Sequence, residues 1–158
     1  MVVLAPAAAV TLVATKFGRA RGLAAGLGQV VQVLVLVPAA TSLAGPLDPQ
    51  AITKPTFLAA AHLIGTLLAV RSVIRERGNA GFAAVPLGFH VAATAVGAIL
   101  LPPPFVALLG LLVIRAALLP VVQRRRRNTA RPLRPVSVGL VETVLAACVV
   151  GLAFVSPI

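Results

Sequence analysis

A chain of 158 residues with 59% hydrophobic residues, 11% charged residues and a mean hydropathy of +1.06 is too apolar for a water-soluble domain of ordinary composition. Its net charge of +11 would point to nucleic acid in a soluble protein, but twelve of the fourteen Lys and Arg residues lie in three short gaps between apolar runs. Loop topology explains that charge, which leaves nucleic acid excluded as a partner and an all-α, polytopic helical membrane protein as the class.

The first apolar run, Val2 to Thr15, is short for a membrane span and is read as a short helix. Its positive charge follows it at Lys16, Arg19 and Arg21, whereas a signal peptide carries charge in front, so cleavage is not expected. The second segment, Leu23 to Gly45, contains Gln29, Gln32 and Pro38, and its Gly22/Gly26 spacing permits close helix contact. Pro46 to Lys54 forms a gap with one basic residue. The third segment, Pro55 to Val73, carries His62, and a second basic gap runs from Arg71 to Arg77.

The fourth segment, Gly81 to Leu101, carries Pro86 and His90. After the short gap Pro102 to Pro104, the fifth, Pro103 to Val122, carries Arg115 and Pro120. A third basic gap, Gln123 to Arg134, precedes the sixth, Val136 to Val155, which carries Glu142 and Cys148. A helix needs about twenty apolar residues to cross a core about 30 Å thick, and five of these segments come close. Prolines 55 and 103 are read as helix starts, and prolines 46, 132 and 135 as ends.

Because the basic gaps are every second one, the sequence predicts about six transmembrane helices in one integral membrane domain, 1–158. Both termini are placed outside the cytoplasm, with each cytoplasmic loop closing an antiparallel helix pair. Arg19-Ala-Arg-Gly22 and Arg75-Glu-Arg-Gly78 hint at a repeated two-helix unit. Abundant Ala, Gly, Pro and Arg, with only two Lys, suit a GC-rich bacterial genome and hence a bacterial plasma membrane. Arg124, Arg125, Arg126 and Arg127 are candidate contacts to anionic lipid headgroups, and the bilayer is the one predicted partner. The single Cys148 forms no intramolecular disulfide and is read as a small buried thiol.

Polar side chains inside apolar segments are costly, so their depth is informative. Counting helical rise from the basic edge puts Gln29 and Gln32 about 10 to 15 Å in, His62 and His90 about 13 Å, Arg115 about 12 Å and Glu142 about 10 Å. Six polar side chains on five helices thus form a predicted intramembrane layer. Arg115 either snorkels to the interface or pairs with Glu142, whose shorter side chain needs protonation or a cation. His62 and His90 are open to metal, haem or proton relay, or to hydrogen-bonded burial. They lack the Cys or carboxylate companions of a recognised metal set, so no metal site and no cofactor is assigned.

The acids number three, Asp48, Glu76 and Glu142, too few for an Asp-rich Mg²⁺ site. There is no Walker motif, nucleophile elbow or HExxH, and no catalytic residue is assigned. Three functions stay open: a small transporter, a structural or assembly subunit of a membrane complex, and a bis-His haem- or quinone-linked redox protein.

At Ala69-Val-Arg-Ser-Val-Ile-Arg-Glu-Arg-Gly-Asn79, followed by a helix carrying His90, and at Arg131-Pro-Leu-Arg-Pro-Val-Ser-Val-Gly-Leu-Val-Glu142, the chain resembles the YwiC-like family of bacterial membrane proteins. The likeness covers most of the chain. Family members are expected to begin earlier, with a basic segment containing His-Gly-Ala-Trp and a further helix, so the resemblance implies an N-terminally short copy. The family's activity is unassigned, and the resemblance implies a topology without a mechanism.

Overall fold

The computed structural model describes residues 4–17, 22–44, 48–76, 78–127 and 135–155. Among them the fold is all-α, with six helices: α1 (Leu4–Lys16), α2 (Leu23–Ala44), α3 (Pro49–Ile74), α4 (Ala80–Leu100), α5 (Pro103–Arg127) and α6 (Pro135–Val155). Four stretches, Ile52–Ile74, Gly81–Leu100, Pro103–Arg126 and Pro135–Leu152, are long and apolar enough to cross a membrane. The 13-residue α1 and the apolar stretch Leu23–Ala39 of α2 are shorter. Arg19, Arg21, Pro46, Arg77, Arg131, Pro132 and Arg134, all named above, lie outside the described residues.

Three boundaries differ from the sequence reading. The third helix starts at Pro49, six residues before Pro55, because a proline at the first helical position has no amide to lose. The Asp48 carbonyl accepts from the Ile52 amide and Thr53 Oγ1 donates to the Pro49 carbonyl, and both bonds hold this added turn. Pro55 therefore lies inside α3. The fifth helix continues past Val122 to Arg127, since Gln and Arg are good helix formers once outside an apolar run. Gln123 Nε2 donates to the Val73 carbonyl at 2.7 Å and fixes this extension to the end of α3. Pro135 opens α6 and is not a helix end.

The chain comprises two compact units, Met1–Ile64 and Gly65–Ile158. In the first, α1 packs on α2, and Gln32 Nε2 reaches Thr11 Oγ1 across them at 3.2 Å. In the second, α4 packs along α5, a pair joined by the non-basic turn at Pro102, whereas α5 and α6 approach more sparingly. The most extensive pairing here thus runs across a proline turn and not across a basic loop.

Helical periodicity explains which side chains this second unit buries. On α4 the positions Pro86, His90, Ala93 and Gly97 are buried, on α5 Phe105, Leu108, Leu112, Arg115 and Ala116, and on α6 Val138, Glu142, Leu145 and Val149. Each set recurs every three or four residues and so forms one stripe per helix. The stripes contain His90, Arg115 and Glu142, while the outward faces carry Ile99 at 85% exposure and Val136 at 80%. Polar groups inside and aliphatic groups outside invert the arrangement of a soluble domain and match a lipid surround. Cys148 falls off the α6 stripe and is exposed, which corrects the reading of it as a buried thiol.

The turn between α3 and α4 is built from polar parts. The Arg75 and Glu76 amides both donate to the Arg71 carbonyl, Gly78 takes φ 96°, and Asn79 Oδ1 caps α4 by accepting from the Phe82 amide at 3.1 Å. Arg71 lies 5.9 Å from the Phe82 ring centre and 3.1 Å from Glu76. Asn79→Ala leaves that amide unsatisfied and is expected to cost about 1 kcal/mol. Thermal unfolding in detergent measures the loss, and Asn79→Asp should retain the stability, since it restores the acceptor.

Candidate functional site

The second unit brings His90, Arg115 and Glu142 together in its interior. Their residual exposures of 0%, 6% and 7% leave the three groups almost wholly cut off from the surroundings. Arg115 Nη1 donates to Glu142 Oε2, forming a buried ion pair. Thr66 Oγ1 on α3 donates to the same Glu142 oxygen at 2.7 Å and lies 3.5 Å from Arg115 Nη1. On its other side Arg115 Nη2 lies 2.7 Å from His90 Nε2. A guanidinium has donors only, so Nε2 must be the acceptor and a neutral His90 ring carries its proton on Nδ1.

Arg115 is therefore a bridge: one arm of its planar fork holds a carboxylate, the other an imidazole. It does not snorkel. Removing two charges from water costs several kcal/mol per ion, and only close pairing with added hydrogen bonds repays it. The Thr66 hydroxyl and the His90 nitrogen supply those extra bonds. Glu142 Oε1 and Arg115 Nε are buried and have no hydrogen-bond partner among the described residues.

Gly65 gives the imidazole its place. A Cβ built at Gly65 would overlap His90 Cε1 and Nε2, so α3 and α4 can only approach this closely where the α3 position has no side chain. Gly65 and Thr66 are consecutive, one making room for His90 and the other donating to Glu142. Neither was singled out in the sequence. Thr66 was the more legible of the two, being a polar residue four positions after His62 in the same apolar run. Gly65 becomes visible only through the close approach of the ring.

The other members of the predicted layer belong to the first unit. Gln29 is exposed on α2, Gln32 is half-buried against Thr11, and His62 is buried on α3. A count of depth ignores direction, and Gln29 shares its depth with Gln32 while facing elsewhere. Arg124, Arg125 and Arg126 are exposed on the helical end of α5, and the side chain of Arg127 lies outside the described residues. No group of three or more His, Cys, Asp or Glu able to hold a metal ion occurs among the described residues. A haem iron takes a histidine through a ring nitrogen, and the Nε2 of His90 is already engaged by Arg115.

No protein-family model, curated protein or solved structure matches the chain.

Proposed function

We propose that this chain is a small proton-coupled transporter of the bacterial plasma membrane, related to the YwiC-like family and oriented with both termini outside the cytoplasm. The observation that carries the reading is the Arg115–Glu142 pair with His90 on its flank, buried among helices long enough to span. Ionisable groups at such depth are expensive to insert and are found where protons or ions move. The alternation of basic gaps supports the orientation, and the motifs around Arg71 and Arg131 support the family.

The chemistry follows from the bridge. A proton arriving on Glu142 has an open acceptor at Oε1, and it removes the charge that holds Arg115 Nη1. A proton arriving on His90 Nε2 turns that atom from acceptor to donor and expels Arg115 Nη2. Each protonation thus releases one arm of the same arginine. Two arrangements of Arg115, biased by proton occupancy, are the kind of bistable element that coupling requires.

Reconstitution into liposomes containing a pH-sensitive dye tests the reading. Wild-type protein is expected to dissipate an imposed pH gradient, alone or on addition of a transported solute, and Glu142→Gln is expected to abolish that flux while retaining the fold. Wild-type liposomes as tight as empty ones across all gradients and solutes would leave the assembly-subunit reading, whose sign is a constant co-purifying partner. Orientation is checked separately. Alkaline phosphatase fused to either terminus should be active, and a fluorescent protein fused at the same places should stay dark.

A further inference from the structure

A groove of about 400 Å³ runs between α5 and α6 and opens on the outside of the second unit. From α5 its wall is formed by Leu111, Arg115, Leu118 and Val122, and from α6 by Ser137 and Val141 among others. Positions 111, 115, 118 and 122 alternate steps of four and three, so they occupy a single face of α5. The next step of three along that face is Arg125, exposed on the helical extension beyond the apolar span, with exposed Arg124 and Arg126 on either side of it.

The groove therefore grades from aliphatic to cationic along one helix face. From Leu111 to Val122 it is about 16 Å long, the reach of most of an acyl chain. Arg115 contributes only its stem to the wall, because its guanidinium is held by Glu142 and His90. The charge available to a ligand lies beyond the mouth, at Arg124 and Arg125. A neutral sterol or a bare alkane would use the groove and waste the arginines, while a free phosphate would use the arginines and leave the groove. An anionic amphiphile uses both.

We infer that the α5–α6 groove binds one anionic phospholipid, with an acyl chain laid along Leu111 to Val122 and its phosphate against Arg124 and Arg125. Ser137, near the start of α6, adds a hydroxyl at the same end of the groove. The lipid would cover the outer side of the helix that carries Arg115 and close the sparse contact between α5 and α6. The site rests on the membrane location of these helices and is independent of whether the protein transports anything.

Native mass spectrometry of the full chain, released from neutral detergent with equimolar dioleoyl phosphatidylglycerol and dioleoyl phosphatidylcholine, tests the site. One phosphatidylglycerol should be retained in preference to phosphatidylcholine, and Arg124→Gln with Arg125→Gln should bring the preference down, about fivefold for each charge removed. Leu118→Trp and the milder Val141→Phe fill the groove at positions already 54% and 43% exposed, so they spare the interior, and both should lower retention of either lipid. Leu140→Trp, on the neighbouring outward face, should not. Equal retention of the two lipids by the wild type, or an unchanged adduct in both groove-filling variants, would overturn the site. So would a dimer in place of the adduct, with a second copy seated in the groove, or equal stabilisation by glycerol phosphate lacking acyl chains.

Discussion

Arg115→Leu and Glu142→Leu are each expected to destabilise the protein by about 3 to 5 kcal/mol, the usual cost of stranding one charge of a buried pair. The double variant should lose far less. In the arginine variant the Glu142 carboxylate keeps only the Thr66 hydroxyl as a donor, and its second oxygen already lacks one. In the glutamate variant the guanidinium keeps only His90 Nε2 and a distant Thr66. Replacing both by leucine removes both desolvation penalties, which in other proteins is close to neutral. The cycle therefore predicts a coupling of several kcal/mol, read from thermal unfolding of the four proteins in one detergent. Additive losses would mean that the two residues act separately. Glu142→Gln adds a finer point: its amide oxygen still accepts from Thr66 and Arg115, so its loss should fall below that of Glu142→Leu. That makes it the variant in which flux can be judged on folded protein.

Much of this arrangement can be read from residue order, and what cannot has identifiable physical causes. Helix existence follows from run length, because a bilayer core demands a fixed number of apolar residues whatever their identity. Helix ends are less legible, since proline and arginine each suit two contexts. Pro55 reads as a start but sits inside α3, and the run at Arg124 reads as a loop but continues α5. Depth along a helix can be counted, which sets Arg115, Glu142 and His90 near one level. Direction around a helix needs a second pattern. The stripe of Val138, Leu145 and Val149 points Glu142 inward and Cys148 outward, and the same kind of reasoning is defeated on α2, where aliphatic residues cover every face. Gly65 is the least legible residue of all. Its role is an absence of atoms, which has no meaning until a ring from another helix is placed against it.

That absence gives the second large effect. Gly65→Ala should destabilise the protein even though alanine is the better helix former, because the new Cβ meets the His90 ring at Cε1 and Nε2. The ring has little room to yield. It is wholly buried, and its Nε2 is held 2.7 Å from Arg115 Nη2. Overpacking of this kind costs about 1 to 3 kcal/mol. Any displacement of the ring that relieves the overlap also stretches the Arg115 bond, a hydrogen bond to a charged group worth about 1.5 to 3 kcal/mol. The same substitution changes sign once the ring is gone. In a His90→Ala background the three atoms nearest the new methyl group are gone, and alanine should stabilise the helix over glycine by up to about 1 kcal/mol. A Gly65→Ala penalty that persists undiminished without His90 would show that some other neighbour forbids the side chain. The sign reversal would identify the glycine as the seat of the histidine that one arm of Arg115 holds.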